Sequence, residues 1–257
     1  MSPKNGHGCS ESTRTKQSNF REFINMHLKI SKSVMRVPWA DNDYHYFDIT
    51  AGPGADDHGP ASPLIFLQEA FVLDVPYRAV FIEQHFESYK ELVSRTRHIK
   101  NIEIRQGDHT EILPEYLYPA TDKKFIGLLY ADPNGMAPFD LLELVGNTPA
   151  FRRLDFLVNV PANVYKRAKS EKRVADLIAP IKKKHWLIRE PISGWQWTML
   201  FGTQMDKPRF PELKSIGFHH LDSPEGLEIL KRLSLTKEEI GNGKQIVIHN
   251  GSLRGTN

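Results

Sequence analysis

The sequence predicts an α/β protein: a mostly parallel central sheet with an antiparallel edge and helices on both faces. Three observations lead there. Short β-branched or aromatic runs alternate with runs of helical apolar spacing, the pattern of βαβ units. One β-type run, Phe125–Ala131 (FIGLLYA), is apolar nearly throughout, as a strand covered on both faces should be. The first four β-type runs each end in an acid or a glycine-rich turn, where parallel sheets place their ligands.

The elements follow in order. Residues 1–18 are polar and read as a flexible arm. Residues 19–36 carry apolar residues at helical spacing and predict a helix. Tyr44–Thr50 (YHYFDIT) predicts a strand that enters the turn AGPG. Pro63–Phe71 predicts a helix with Ser62 as its cap and Pro63 in its first turn. Tyr77–Glu83 reads as the second strand and His85–Thr96 as the second helix. Asn101–Arg105 is the third strand, followed by Gly107-Asp108 and a short helix over Thr110–Tyr118. Phe125–Ala131 is the fourth strand, Pro138–Gly146 is helical, and Arg153–Val160 (RLDFLVNV) is the fifth strand. Residues 162–184 are basic and helix-favouring. Gly194–Thr203 reads as a late strand at the antiparallel edge, and 223–242 as a terminal helix and turn. The chain therefore divides into an arm (1–18), one domain (19–242) with a basic helical insertion at about 161–193, and a tail (243–257).

Composition excludes several classes. At 257 residues, 40% of them hydrophobic, the chain is long enough for a full core and is neither fibrous nor disordered. No uninterrupted apolar run approaches the roughly 18 residues of a membrane span, so no membrane partner is expected. The polar first residues lack the apolar stretch of a secretory signal. The single cysteine, Cys9, excludes an internal disulfide and a cysteine-rich zinc site, and it fits a reduced cytoplasmic setting. The histidines show no metal-helix spacing, and no metal is expected. Net charge is uneven: +5 over residues 1–40, −10 over 41–150 and +8 over 151–257. Such asymmetry suggests two surfaces with two partners, or a lysine-rich solvated helix face.

The strand ends hold the candidate chemistry. After the first strand come Asp48, Thr50, Ala51, Gly52, Pro53 and Gly54. Glycines let a backbone approach a ligand closely and adopt dihedrals that other residues avoid, although a G-x-G pair also makes plain turns. No G-K-[ST] follows, so this is not a phosphate-binding P-loop. Glu83 ends the second strand, where an acid accepts the two hydroxyls of a ribose or caps a helix. Asp108, beside His109, is placed to accept an adenine amine or to cap the helix that follows. Asp132-Pro133-Asn134-Gly135 ends the fourth strand. Each feature has a bland reading; four of them in register are far less probable by chance.

Together these residues resemble the class I S-adenosylmethionine-dependent methyltransferases. Y-F-D-I-T-A-G-P-G, then A-S-P-L-I-F-L, then Y-A-D-P-N-G, F-L-V-N-V and the late W-T-M-L-F-G-T resemble the three-Cys-motif partner (TcmP) family over about residues 44–205. The resemblance implies a Rossmann-like sheet of about seven strands and S-adenosylmethionine as cofactor. It implies that Asp48, Thr50, Ala51, Gly52 and Gly54 hold the cofactor's methionine and ribose part. Glu83 would bind the ribose and Asp108 the adenine; His109 beside Asp108 lines the cofactor pocket or is a loop histidine. Asp132, Pro133 and Asn134 would form the methyl-acceptor side.

D-P-N-G is similar to the D-P-P-Y motif of adenine-N6 and cytosine-N4 methyltransferases, and the motif order matches one circular arrangement of the DNA enzymes. An exocyclic amine is a poor nucleophile because its lone pair is delocalised into the ring. A carboxylate (Asp132) and a backbone carbonyl (Pro133) accepting its two N–H groups would localise that pair, and the rest is positioning in a dry site. A duplex base would have to be flipped out to reach it. Gly135 replaces the aromatic that stacks on the base; Phe139, Trp195 or Trp197 are the available substitutes. Arg152, Arg153, Lys166, Arg167, Lys182, Lys183 and Lys184 predict contacts to the phosphates of DNA or RNA, or a solvated amphipathic face. Adenine N6 in DNA with relaxed sequence specificity is the expected acceptor. RNA, protein or small-molecule acceptors, or a silent nucleic-acid-binding scaffold, are the alternatives.

Overall fold

The computed structural model describes residues 11–117, 124–161, 174–191, 197–205 and 210–234. Its elements in chain order are α1 (Glu11–Val34), β1 (Ala40–Asp48), the hairpin strands β2 (Ala55–Asp56) and β3 (Gly59–Pro60), α2 (Ser62–Val72), β4 (Tyr77–Glu83), α3 (Phe86–Thr96) and β5 (Ile102–Gln106). Then come α4 (His109–Ile112) with a 3₁₀ turn at Leu113–Tyr116, β6 (Lys124–Ala131), α5 (Phe139–Asn147) and β7 (Leu154–Pro161). The last are α6 (Val174–Ile178), β8 (His185–Arg189), β9 (Trp197–Thr203), α7 (Phe210–Ser215), β10 (Phe218–His220) and α8 (Pro224–Ser234).

Eight strands form one sheet in the order β10-β8-β9-β7-β6-β1-β4-β5. Pairings from β5 across to β7 are parallel; β9 runs antiparallel to both β7 and β8, and β10 antiparallel to β8. After β1 the chain adds strands on one side (β4, β5) and then returns to the other (β6, β7). That reversal opens a crevice beyond the carboxyl ends of β1 and β6.

Each strand divides its side chains between two cores by its twofold period. Tyr44, Tyr46, Leu128, Leu157, Met199 and Phe201 pack under α1 and α2, whereas Phe47, Leu129, Phe156, Val158 and Leu200 pack against α5, α6 and α8. Helix α1 buries Phe20, Phe23, Ile24, His27 and Leu28 at helical spacing, each large apolar side chain contributing about 1.5–3 kcal/mol. His27 pins it across the sheet: one ring nitrogen lies 2.7 Å from the Tyr44 hydroxyl on β1 and the other 3.0 Å from Asp155 Oδ2 on β7.

Four expectations are corrected. Residues 11–18 are helical, not part of an arm; their polar sequence reflects a helix end that lies over the crevice rather than the core. Ser62 does not cap α2, because Ala61 holds the cap position and the Ser62 hydroxyl donates to Asp48. Trp197–Thr203 is an interior strand; the antiparallel edge is β10, whose three residues are too short to show a pattern. The supposed helical insertion contains strand β8, which the preceding lysine run disguises.

Candidate functional site

Backbone direction brings the ends of β1, β4, β5 and β6 to one edge of the sheet, and hydrogen bonds tie them together. Ile49 N–H donates to the Tyr130 carbonyl at 3.1 Å, Ala51 N–H to the Ile82 carbonyl at 3.0 Å, and Gly107 N–H to the Glu83 carbonyl at 3.0 Å. The loop after β1 carries Gly52 at φ +64° and Gly54 at φ +82°, left-handed values that favour glycine. A Cβ added at Gly52 would meet nothing within 4 Å, so that backbone is open to a ligand. Arg95 of α3 donates to the carbonyls of Pro53 and Ala55 and holds the loop's outer side.

Asp48 is fully buried. Its Oδ2 accepts from the Ser62 hydroxyl at 2.6 Å and the Tyr46 hydroxyl at 3.2 Å; its Oδ1 accepts from Thr50 N–H at 3.2 Å. It thus grips both ends of the Gly-rich loop. Burial raises its pKa to about 7, these hydrogen bonds oppose the rise, and the nearby Asp132 charge adds to it. A raised native pKa means that the folded state holds the proton more tightly. The resulting stability is complete below the unfolded value near 4 and is lost as pH rises through 7. Wild type is therefore expected to lose stability relative to Asp48→Asn between pH 5 and 8, by roughly 2–3 kcal/mol. Urea unfolding of both proteins at the two pH values measures it; a constant difference refutes it.

Glu83, also buried, accepts from Gly52 N–H at 2.7 Å through Oε2 and from His85 N–H at 2.7 Å through Oε1. One carboxylate so joins the first loop to the start of α3. Asp108 caps α4: its Oδ1 accepts from Thr110 N–H at 2.8 Å and the Thr110 hydroxyl at 2.7 Å, and these bonds hold its pKa below the usual carboxylate value. His109 beside it has its pKa lowered by burial, with Asp108 opposing.

Asp132 sits where β6 ends. Its N–H donates to Thr50 Oγ1 at 2.7 Å, locking the first and fourth strand ends together. Its carboxylate has partners that the sequence did not suggest. Lys16 Nζ of α1 donates to Oδ1 at 2.9 Å and to Oδ2 at 3.3 Å. Asn159 Nδ2 of β7 donates to Oδ1, and the Tyr130 phenol also hydrogen-bonds this carboxylate. Lys16 rests over the ring of Trp197 from β9, 5.3 Å from its centroid. The pair is about one quarter exposed on each side, so solvent reaches it. Asn134 is exposed and Gly135 has open space around it. Of the three aromatic substitutes, Phe139 is buried in the opposite core and Trp195 lies outside the described residues. Trp197 alone is found in the site.

The basic residues do not gather here. Lys166 and Arg167 lie outside the described residues. Arg152 and Arg153 precede β7, and Lys182, Lys183 and Lys184 precede β8, which runs in the same direction. They therefore occupy the amino-terminal end of the sheet, about 25 Å from the crevice at 3.3 Å per residue along β7. Arg153 lies over the Trp39 ring at 5.3 Å. Lys183 is not a surface contact at all: although part of its stem is exposed, its ammonium donates to the carbonyls of Arg152 (3.3 Å) and Leu154 over the Phe156 ring. Burial lowers its pKa to about 8. For Arg152 and Arg153 the position before a parallel strand already carried that information; for Lys182, Lys183 and Lys184 the lysine run hid strand β8 itself.

A cavity of about 570 Å³, lined by Asp43, His45, Arg78, Glu103, Tyr116 and Phe125 among others, also lies at the amino-terminal end. It holds none of the strand-end acids, so the candidate site is assigned on chemistry rather than on volume. Among the described residues no group of three or more His, Cys, Asp or Glu is placed to hold a metal, and no helix is long and apolar enough to cross a membrane.

No protein-family model matches the chain, and no curated protein matches it. Solved structures do. The chain is similar to protein LPL1258 from Legionella pneumophila (17% identity, 77% of this chain and 90% of that one, TM-score 0.49). It is similar to M. jannaschii TYW2 in complex with AdoMet (12%, 77% and 79%, TM-score 0.45). It is also similar to the O-methyltransferase TomG from Streptomyces achromogenes in complex with SAM (13%, 77% and 92%, TM-score 0.43).

Proposed function

We propose that the protein is an S-adenosylmethionine-dependent methyltransferase acting on the exocyclic amine of a nucleobase, with adenine N6 in DNA as its first acceptor class. One observation carries the reading. The carboxylate of Asp132, joined through its own N–H to the Gly-rich β1 loop, already holds an amine, the Nζ of Lys16.

The residues present fit the cofactor. Gly52 leaves the loop backbone approachable, Gly54 lets the loop close against Leu92 of α3, and the Glu83 carboxylate stands at the end of β4 for two ribose hydroxyls. Its two N–H partners occupy one lone pair on each oxygen, which leaves the second of each to accept a hydroxyl. Asp108 and His109 flank the adenine side. The cofactor supplies an electrophilic methyl on a sulfonium. Asp132 and the Pro133 carbonyl would accept the acceptor's N–H groups and turn its lone pair toward that methyl, and the Asp132 carboxylate would take up the proton that the methylated amine loses. Asn159 holds the Asp132 carboxylate in place, and the Thr50 hydroxyl fixes its backbone. The acceptor amine must displace Lys16, an exchange of one donor for another on the same oxygens.

RNA, protein or small-molecule amines are the second reading, favoured by Gly135, which offers no ring to stack on a base. The test is a transfer assay with labelled S-adenosylmethionine on duplex DNA, single-stranded DNA and RNA, followed by nucleoside mass spectrometry. N6-methyladenine in DNA is the expected product. Cofactor binding with no transfer to any polymer overturns the nucleobase assignment, and no cofactor binding overturns the methyltransferase reading.

A further inference from the structure

Two buried polar atoms beside Asp132 have no hydrogen-bond partner: Asn159 Oδ1, an acceptor, and Trp197 Nε1, a donor. Their side chains are almost wholly enclosed, at 1% and 4% exposure. Unpaired buried polar atoms are uncommon, and each asks for an explanation. The two residues share one sheet face. Asn159 pairs with Met199 and Pro161 with Trp197, so Asn159 and Trp197 are diagonal neighbours across β7 and β9. One atom of each could satisfy the other, yet they do not bond. Both belong to the Asp132 cluster, because Asn159 donates to Asp132 and Lys16 bridges Asp132 and the Trp197 ring.

We propose that Asn159 and Trp197 read the amidine edge of an amino-nucleobase, that is, an exocyclic amine with an unprotonated ring nitrogen beside it. Asn159 Oδ1 shares with Asp132 one N–H of the amine in a three-centre bond, the Pro133 carbonyl keeping the other, and Trp197 Nε1 donates to the ring nitrogen. The edge enters where Lys16 rests, between the Asp132 carboxylate and the Trp197 ring. Adenine and cytosine carry this edge. On the Watson–Crick edge, guanine and thymine instead present an N–H at that ring position, which would face the Trp197 N–H donor to donor. The inference rests on the nucleobase reading above and adds to it the residues that select the base.

The experiment uses the full chain with single-stranded oligonucleotides containing one adenine or one 1-deazaadenine, which lacks the ring-nitrogen acceptor. Wild type is compared with Trp197→Phe, which keeps the ring and removes the N–H. Oligonucleotide binding is read by fluorescence anisotropy in the presence of S-adenosylhomocysteine, and transfer is read as kcat/KM. The variant and the base analogue are each expected to cost about tenfold in binding and transfer, and the two together no more than either alone. S-adenosylhomocysteine affinity stays unchanged in Trp197→Phe, and the unfolding midpoint falls by a few degrees as the smaller ring leaves space in the core. If the variant proves unstable, the analogue with wild-type protein still decides. Full activity of wild type on 1-deazaadenine, or losses that multiply, overturns this inference while leaving the nucleobase reading intact. Absence of transfer to any amino-base overturns both.

Discussion

Asp132→Ala is expected to lower methyl transfer by about 10²–10⁴-fold while the protein stays folded and keeps its cofactor affinity. In the proposed reaction the carboxylate would touch the acceptor and not the cofactor cradle: its ties to the β1 loop run through its backbone N–H, which alanine retains. The stability cost is small for a physical reason. The Lys16 pair is partly solvated, and such pairs contribute about 0–1 kcal/mol. Asn159 Nδ2 and the buried Tyr130 hydroxyl each lose an acceptor, about 1–3 kcal/mol apiece, a sum that stays within the stability of a typical domain. Circular dichroism, S-adenosylhomocysteine titration and the transfer assay measure the three quantities separately. Wild-type turnover in this variant would remove Asp132 from the chemistry and move the acceptor site away from the end of β6.

The sequence reached the parts of this site that lie on continuous stretches of chain. Buried parallel strands leave long apolar runs, so Tyr77–Glu83 was bounded to the residue, and Phe125–Ala131 missed only Lys124. Because strand direction was legible, the acids at the ends of β1, β4 and β6 could be placed at one edge before any coordinates. What escaped was assembled across the fold. Lys16 and Asp132 are 116 residues apart, and neither Lys16 nor Asn159 stands in a motif. The helix that delivers Lys16 was hidden because its first turns cover a polar crevice and so show no apolar period. Lys183 failed for the opposite reason. A lysine in a charge run is ordinarily solvated, but here strand ends supply two carbonyls and a ring that enclose it. The separation of Arg152 and Arg153 from the acceptor end weakens them as contacts to a strand entering the crevice. Helix α1 brings Arg14 and Lys16 to that end.

Gly127→Ala is expected to destabilise the fold by more than about 4 kcal/mol, lowering the unfolding midpoint by roughly 8–16 °C for a domain of this size. Gly127 lies on β6 directly opposite His45 on β1. A Cβ there would sit 1.9 Å from the His45 carbonyl oxygen and 2.8 Å from its nitrogen, and these are backbone atoms that no rotamer change can move. His45 cannot retreat, because its ring stacks on Phe125 at 3.9 Å and bonds Asp41 at 2.8 Å. The backbone φ of +157° adds to the strain of any side chain at this position. The close approach has a functional consequence. Pairing of β1 with β6 is what sets Ile49 against Tyr130 and Thr50 against Asp132, so forcing the strands apart opens the crevice itself. Gly135→Ala is the control: a Cβ there meets nothing within 4 Å, and stability should stay within about 0.5 kcal/mol of wild type. Thermal unfolding of the two variants side by side decides it. If both melt with wild type, β1 and β6 are not held at this separation, and the link between the first loop and Asp132 loses its structural basis.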